Sequence, residues 1–115
     1  MENLLVLIFN MINIKIEKLE QLNNCVYSRD NFISRVNFNN ISFLLPKLRN
    51  EYPGKIPSNL SDYSLRQQRW PLLNIVRQSL KYYNYIMIPI RESKKNNKND
   101  KRQYNRFFKI TKIPN

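Results

Sequence analysis

The side chains best suited to chemistry are cations and amides that crowd into one stretch of the chain. They are Lys55, Arg66, Gln67, Gln68, Arg69, Arg77 and Lys81. Guanidinium groups bind phosphate oxygens through paired hydrogen bonds and also stack on exposed bases. Amide side chains hydrogen-bond to sugar hydroxyls and base edges. The pattern therefore predicts a ligand with phosphates and bases, while an ordinary solvated helix face is the alternative for the same cations.

The overall charge also favours a polyanionic partner. Lys and Arg number 20 against 8 Asp and Glu, so the formal net charge is +12. Nucleic acid is the commonest partner of so basic a chain, and an anionic membrane is the second. The apolar start from Leu4 to Phe9 is far shorter than the ~20 residues of a membrane span. We therefore expect nucleic acid and no membrane.

Composition argues against catalysis. The chain has no His, one Cys and one Gly, so it cannot assemble a Cys/His metal site, a Ser/His/Asp or Cys/His catalytic set, or a glycine-rich phosphate loop. We expect no enzyme activity, no catalytic or metal-binding residues, no cofactor and no small-molecule substrate. Cys25 is expected to be a free, inert thiol.

The main predicted element is a helix from Leu65 to about Tyr83. Ser64 and Gln67 form a capping box at its start. At helical spacing, apolar residues form one stripe along its surface. A second stripe consists of Arg66, Trp70, Arg77 and Lys81. One face should bury and the other should face phosphate, with Trp70 docked against a partner or a base. Pro71 inside this helix should bend it, and nothing local explains it.

Other elements are less regular. The spacing from Phe38 to Asn50 predicts a short helix that Pro46 should kink or shorten, and the segment from Asn13 to Gln21 fits a strand or a short helix. Two runs rich in strand formers, 85–90 and 104–110, could pair as a hairpin around the basic run 94–102.

The predicted fold is mainly α. It is a small helical domain with an extended N-terminal segment and a possible C-terminal β-hairpin or disordered basic tail. We divide the chain into an N-terminal extension (1–33), a nucleic-acid-binding core (34–91) and a basic tail (92–115).

The stretch from Val36 to Ile90 resembles small-subunit ribosomal protein 18 of bacteria and plastids. The family has an I-D-Y-x-N opening, a G-K-I turn, a capped K-Q-Q-R, a basic helix and an L-L-P end. The matching residues here are Val36-Asn37-Phe38-Asn39-Asn40, Gly54-Lys55-Ile56, Ser64-Leu65-Arg66-Gln67-Gln68-Arg69, the helix from Leu73 to Ser79, and Ile86-Met87-Ile88-Pro89. An arginine pair usual in the family is replaced by Ser58 and Asn59.

The resemblance implies a structural constituent of the small ribosomal subunit that binds rRNA and supports translation. It would lie beside ribosomal protein 6 and other small-subunit proteins, in a plastid (chloroplast) ribosome or, alternatively, a mitochondrial one. The cations and amides named at the outset would contact rRNA. Two alternatives stay open: a winged-helix DNA-binding protein, whose wing would be the basic run 94–102, and a protein-interaction subunit of a large organelle or viral assembly.

Overall fold

The chain contains helices and strands, with most of the helices before the last two strands. The computed structural model describes residues 3–53, 69–94 and 103–114. Its helices are α1 Leu4–Met11, α2 Asp30–Ile33, α3 Arg35–Ile41, α4 Leu45–Glu51 and α5 Pro71–Tyr82; its strands are β1 Cys25–Ser28, β2 Tyr85–Lys94 and β3 Gln103–Lys112. Short 3-10 turns lie at Leu19–Leu22 and Ser42–Leu44.

The strands form one antiparallel sheet in the order β1-β3-β2. Strands β2 and β3 pair along their whole length, from Tyr85 opposite Lys112 to Lys94 opposite Gln103. The predicted hairpin is therefore present. The predicted mainly α fold is wrong, because the hairpin is not an appendage: Phe108 and Ile110 are buried in the core, and β1 pairs with the outer side of β3.

The core lies between the helices and one face of the sheet. On that face Tyr85, Met87, Phe108 and Ile110 are buried, as the alternation of strand side chains requires. Fully buried Phe32 makes edge-on ring contacts with Phe9 of α1 and Phe108 of β3, with centroids 6.1 and 5.9 Å apart. This side chain therefore joins the helical layer to the sheet.

Helix α5 begins later than the sequence predicted. Trp70 has non-helical backbone angles at the N-cap, and Pro71 occupies the first turn. Proline suits that position, since its missing N–H would have no partner there. The expectation that Pro71 bends a longer helix is therefore wrong. The predicted cap, Ser64 with Gln67, lies outside the described residues.

The two predicted faces of this helix are confirmed over its described length. Its buried residues are Pro71, Leu72, Leu73, Ile75, Val76, Ser79 and Leu80. The Ser79 hydroxyl donates to the Ile75 carbonyl oxygen at 2.8 Å, so a buried polar group keeps a partner. The opposite stripe stays accessible, with Arg77 half-buried and Lys81 exposed.

The predicted helix from Phe38 to Asn50 is two helices joined by a 3-10 turn. Helix α3 ends at Ile41, and Pro46 lies in the first turn of α4. The ring that was expected to kink one helix thus begins a second one.

Each predicted segment of the chain contributes to a single core. Phe9, Leu48 and Ile110 are all fully buried within one apolar cluster. The segment from Asn13 to Gln21, which fitted a strand or a helix, is irregular until the Leu19–Leu22 turn. Among the described helices, none is long and apolar enough to cross a membrane.

Candidate nucleic-acid interface

A cavity of about 370 Å³ lies between the first half of α5 and the middle of β3. The residues that line it come from four places in the chain: the end of β1, the start of α5, β2 and β3. They are Arg29, Arg69, Trp70, Leu73, Asn74, Arg77, Pro89, Arg106, Phe107 and Phe108. We call this space the arginine cavity, because four of these ten residues are arginines.

The cavity concentrates positive charge. Arg69 and Arg106 are exposed, whereas Arg29 and Arg77 are half-buried. Among the described residues that line it, none carries a carboxylate. Four like charges around one space repel each other unless an anion lies among them, so the cavity has the electrostatics of an anion site.

The sheet places two of the arginines side by side. The backbone N–H of Arg29 donates to the carbonyl oxygen of Arg106 at 3.0 Å, which extends the β1–β3 pairing by one residue. The carbonyl oxygen of Arg29 then accepts from the Phe32 N–H at 2.9 Å. Within the described residues, the buried Nε of Arg29 has no hydrogen-bond partner. This group is therefore a donor still in need of an acceptor.

Aromatic rings lie against the cations. The guanidinium carbons of Arg69 and Arg29 lie 4.6 and 5.3 Å from the centroid of the Trp70 ring. The guanidinium of Arg77 lies 6.0 Å from the Phe108 ring. Cation–π contact steadies these long side chains and leaves their N–H groups able to bind oxygen atoms.

A second, smaller concavity of about 220 Å³ continues along the hairpin. It shares Arg29, Arg106 and Phe107 with the arginine cavity and adds Ser28, Asp30, Tyr104 and Asn105. Arg91, which lies opposite Arg106 in the sheet, covers the Tyr104 ring at 4.5 Å. We call the two concavities together the arginine groove. Asp30 is the one acid among the described residues that line it.

The predicted site residues fall into three groups. The structure brings Arg69 and Arg77 together in the arginine cavity. Lys81 lies exposed in the last turn of α5 and does not line the cavity. Lys55, Arg66, Gln67 and Gln68 lie outside the described residues.

Sequence reasoning missed Arg29, Arg91 and Arg106. Arg106 could have been found, because it shares one strand face with Tyr104 and Phe108, and aromatic rings interleaved with cations are typical of nucleic-acid surfaces. Arg29 gave no such signal, since only the β1–β3 pairing brings it to the site.

No family model, curated protein or solved structure matches the chain. Among the described residues, no group of His, Cys, Asp and Glu could hold a metal ion.

Proposed function

We propose that this chain is a winged-helix-type protein that binds duplex DNA through α5 and the β2–β3 hairpin. The observation that carries the proposal is the arginine groove, which begins at the first turn of α5 and continues onto the hairpin. Cations from both elements share one surface there, in the arrangement that a sugar–phosphate backbone would contact.

The order of elements supports the same class. In winged-helix proteins a helix that enters a DNA groove is followed by a two-stranded hairpin whose loop reaches the DNA beside it. Here α5 ends at Tyr82, β2 begins at Tyr85, and β2 and β3 are joined by the run 95–102, which the sequence makes rich in Lys and Arg. The structure of that run lies outside the described residues.

Helix α5 has suitable dimensions for a groove. Its 12 residues span about 18 Å at ~1.5 Å per residue. A major groove about 12 Å wide admits one helix. The polar stripe of α5 contains Asn74, Arg77, Gln78 and Lys81, which are half-buried or exposed. Amide and guanidinium groups on such a stripe can read base edges as well as bind phosphates.

Binding of rRNA in a small ribosomal subunit stays a second prediction. The basic pattern of Arg69 and Arg77 favours it as much as it favours DNA. The chain has a three-stranded sheet and not the predicted mainly α fold, and its β2–β3 hairpin follows α5, so the DNA proposal comes first. Both proposals predict that the chain binds a polyanion with an affinity that falls as the salt concentration rises.

The test compares ligands at matched salt. Fluorescence anisotropy would measure affinity for a duplex of about two helical turns, ~20 base pairs, and for a structured RNA of equal charge. Duplex affinity should fall steeply between ~50 and ~200 mM salt, with a log–log slope near 0.9 per phosphate neutralised.

A charge-matched pair of triple variants locates the surface. Arg69→Gln, Arg77→Gln and Arg106→Gln together should lower duplex affinity and flatten the salt slope by about two to three units, roughly 0.9 per lost contact. Lys15→Gln, Lys18→Gln and Lys47→Gln remove the same charge from exposed positions outside the groove and should change both little. Tighter binding of RNA at every salt, or equal losses in the two triple variants, would contradict the proposal.

A further inference from the structure

We propose that the arginine cavity is a nucleoside-monophosphate site that takes one unpaired nucleotide. This inference rests on the proposed function and names the part of the nucleic acid that enters the cavity. It concerns binding alone and involves no chemical step on the nucleotide.

The lining of the cavity suits a ligand that combines apolar surface with negative charge. Trp70, Leu73, Pro89 and Phe108 give it apolar walls, and the four arginines add positive charge. A bare phosphate would leave the apolar walls facing water. A neutral aromatic compound would leave four guanidinium groups without an anion. A planar base that carries a phosphate meets both conditions, because the ring can pack on the walls while its anionic oxygens accept from the arginines.

Arg29 gives the site a defined donor. Its Nε atom is buried and has no acceptor within the described residues, while its guanidinium lies 5.3 Å from the Trp70 centroid. Arg29 lines the cavity, and its guanidinium also has terminal N–H groups that can donate to a phosphate oxygen there. The cavity volume of about 370 Å³ lies at the small end of the ~300–1,000 Å³ range of ligand sites, which suits one nucleotide rather than several.

Bases inside a duplex are paired and stacked, so they cannot enter such a cavity. The nucleotide must therefore be unpaired: at a single-stranded end, flipped out of a duplex, or free in solution. These sources share one chemistry and differ in what they are attached to.

The first experiment uses Trp70 as its own reporter, because it is the single tryptophan of the chain. Its fluorescence is followed while AMP, adenosine or inorganic phosphate is added to the full-length protein. AMP should quench the emission and saturate, with adenosine and phosphate each about tenfold weaker or more, since each supplies half of the interaction. If phosphate binds as tightly as AMP, or if AMP gives no saturable change, the proposal is overturned.

Variants separate the cavity from general charge. Arg29→Gln should weaken AMP binding about tenfold, the loss expected for one charge-assisted hydrogen bond. Arg106→Gln should act in the same direction at an exposed position where folding is not at risk. Lys18→Gln removes one exposed charge elsewhere and should leave AMP binding unchanged. Equal effects of Arg106→Gln and Lys18→Gln would overturn the proposal, and thermal melts establish that each variant is folded.

The source of the nucleotide is settled by competition. A duplex with one unpaired terminal nucleotide should bind more tightly than the blunt duplex, and AMP should remove that advantage. If AMP binds and the two duplexes are equivalent, the site serves a free nucleotide. Salt-sensitive duplex binding without AMP binding overturns this inference alone, whereas AMP binding without duplex binding overturns the proposed function alone.

Discussion

Two cavities among the described residues, the arginine cavity and one beside α1, differ in whether their polar side chains are already bound within the protein. The larger, of about 580 Å³, lies beside α1 and the Leu19–Leu22 turn. It is lined by Asn3, Val6, Asn10, Ile16, Glu17, Lys18, Leu19, Glu20 and Tyr83, and we call it the asparagine cavity. The arginine cavity is smaller, at about 370 Å³.

Polar groups in the asparagine cavity already bind the protein's own backbone. The Asn10 amide donates to the carbonyl oxygens of Val6 and Ile16, both at 2.9 Å, and its oxygen accepts from the Ile16 N–H at 3.3 Å. The Asn3 side-chain oxygen caps α1 by accepting from the Leu5 N–H at 2.8 Å. Its amide donates to the Tyr83 hydroxyl oxygen at 3.1 Å. These side chains hold the fold together.

The arginine cavity shows the opposite condition. Its cations contact aromatic rings, and the buried Nε of Arg29 has no hydrogen-bond partner among the described residues. If the larger cavity volume identified the binding site, the site would be the asparagine cavity. If unsatisfied charge identifies it, the site is the arginine cavity. Unsatisfied charge is the better criterion, because a ligand gains free energy only from groups that the protein leaves unpaired.

The largest expected effect is a loss of stability at Phe32, where α1 meets the sheet. Phe32→Ala should destabilise the fold by about 3–5 kcal/mol, because it removes a fully buried ring that contacts both Phe9 and Phe108. Urea unfolding followed by circular dichroism measures the loss. The exposed Phe43→Ala is the control and should cost far less. Equal costs would mean that the sheet and α1 fold independently.

The second-largest expected effect is a loss of affinity for duplex DNA without a comparable loss of stability. Replacing Arg29 and Arg106 together by Gln should weaken duplex binding by about a hundredfold, at ~1.5–3 kcal/mol for each charge-assisted hydrogen bond. The matched control replaces Lys18 and Lys47 by Gln and should change affinity less than about threefold, since exposed charges at a distance are screened. If both double variants lose the same affinity, net charge and not the cavity governs binding.

Asn10→Ala should lower stability without lowering duplex affinity, which is the reverse of the result expected for the arginine variants. It leaves the Ile16 N–H and carbonyl groups without the amide that binds both, so we expect a loss of about 1–3 kcal/mol in unfolding free energy. Duplex affinity of the folded protein should not change. Asn40→Ala, at an exposed position of α3, is the control for a lost surface amide. A fall in affinity with stability intact would assign a binding role to the asparagine cavity.

The sequence predicted local features better than their assembly. The buried stripe of α5 and the pairing of β2 with β3 follow from periodicity and strand-forming residues, and both are present. The predicted start of α5 at Leu65 is wrong, because Pro71 lies in the first turn of the helix and not inside it. Strand β1 was missed, because its four residues carry too short a pattern to predict a strand.

The site was only partly predictable for the same reason. Arg69 and Arg77 lie on or next to a predicted helix, and Arg77 falls on its polar stripe, so both were candidates from the sequence. Arg29 lies far away in the chain and reaches the cavity only through its backbone hydrogen bond to Arg106. Long-range pairing of this kind leaves no local signature, so the most buried donor of the site could not be inferred from spacing.

The smallest expected effect under ordinary conditions is the pH dependence of the free energy of unfolding. It depends on tyrosines that do not line the arginine cavity. Burial, followed by a hydrogen bond with the Cys25 thiol, raises the pKa of Tyr27 from 10.0 to about 12. Burial also raises the pKa values of Tyr52 and Tyr85. None of these three residues is among those that line the arginine cavity.

The sign follows from proton binding. Above pH 10 the unfolded chain releases these phenol protons while the folded protein keeps them, so the unfolded state binds fewer protons and the free energy of unfolding falls as pH rises. We expect little change below pH 10 and a progressive loss from pH 10 towards pH 12. Tyr27→Phe should reduce that slope, because it removes one of the phenols whose pKa burial raises. Unfolding free energies measured across this range decide the matter, and a flat profile would mean that these phenols are hydrated in the folded state.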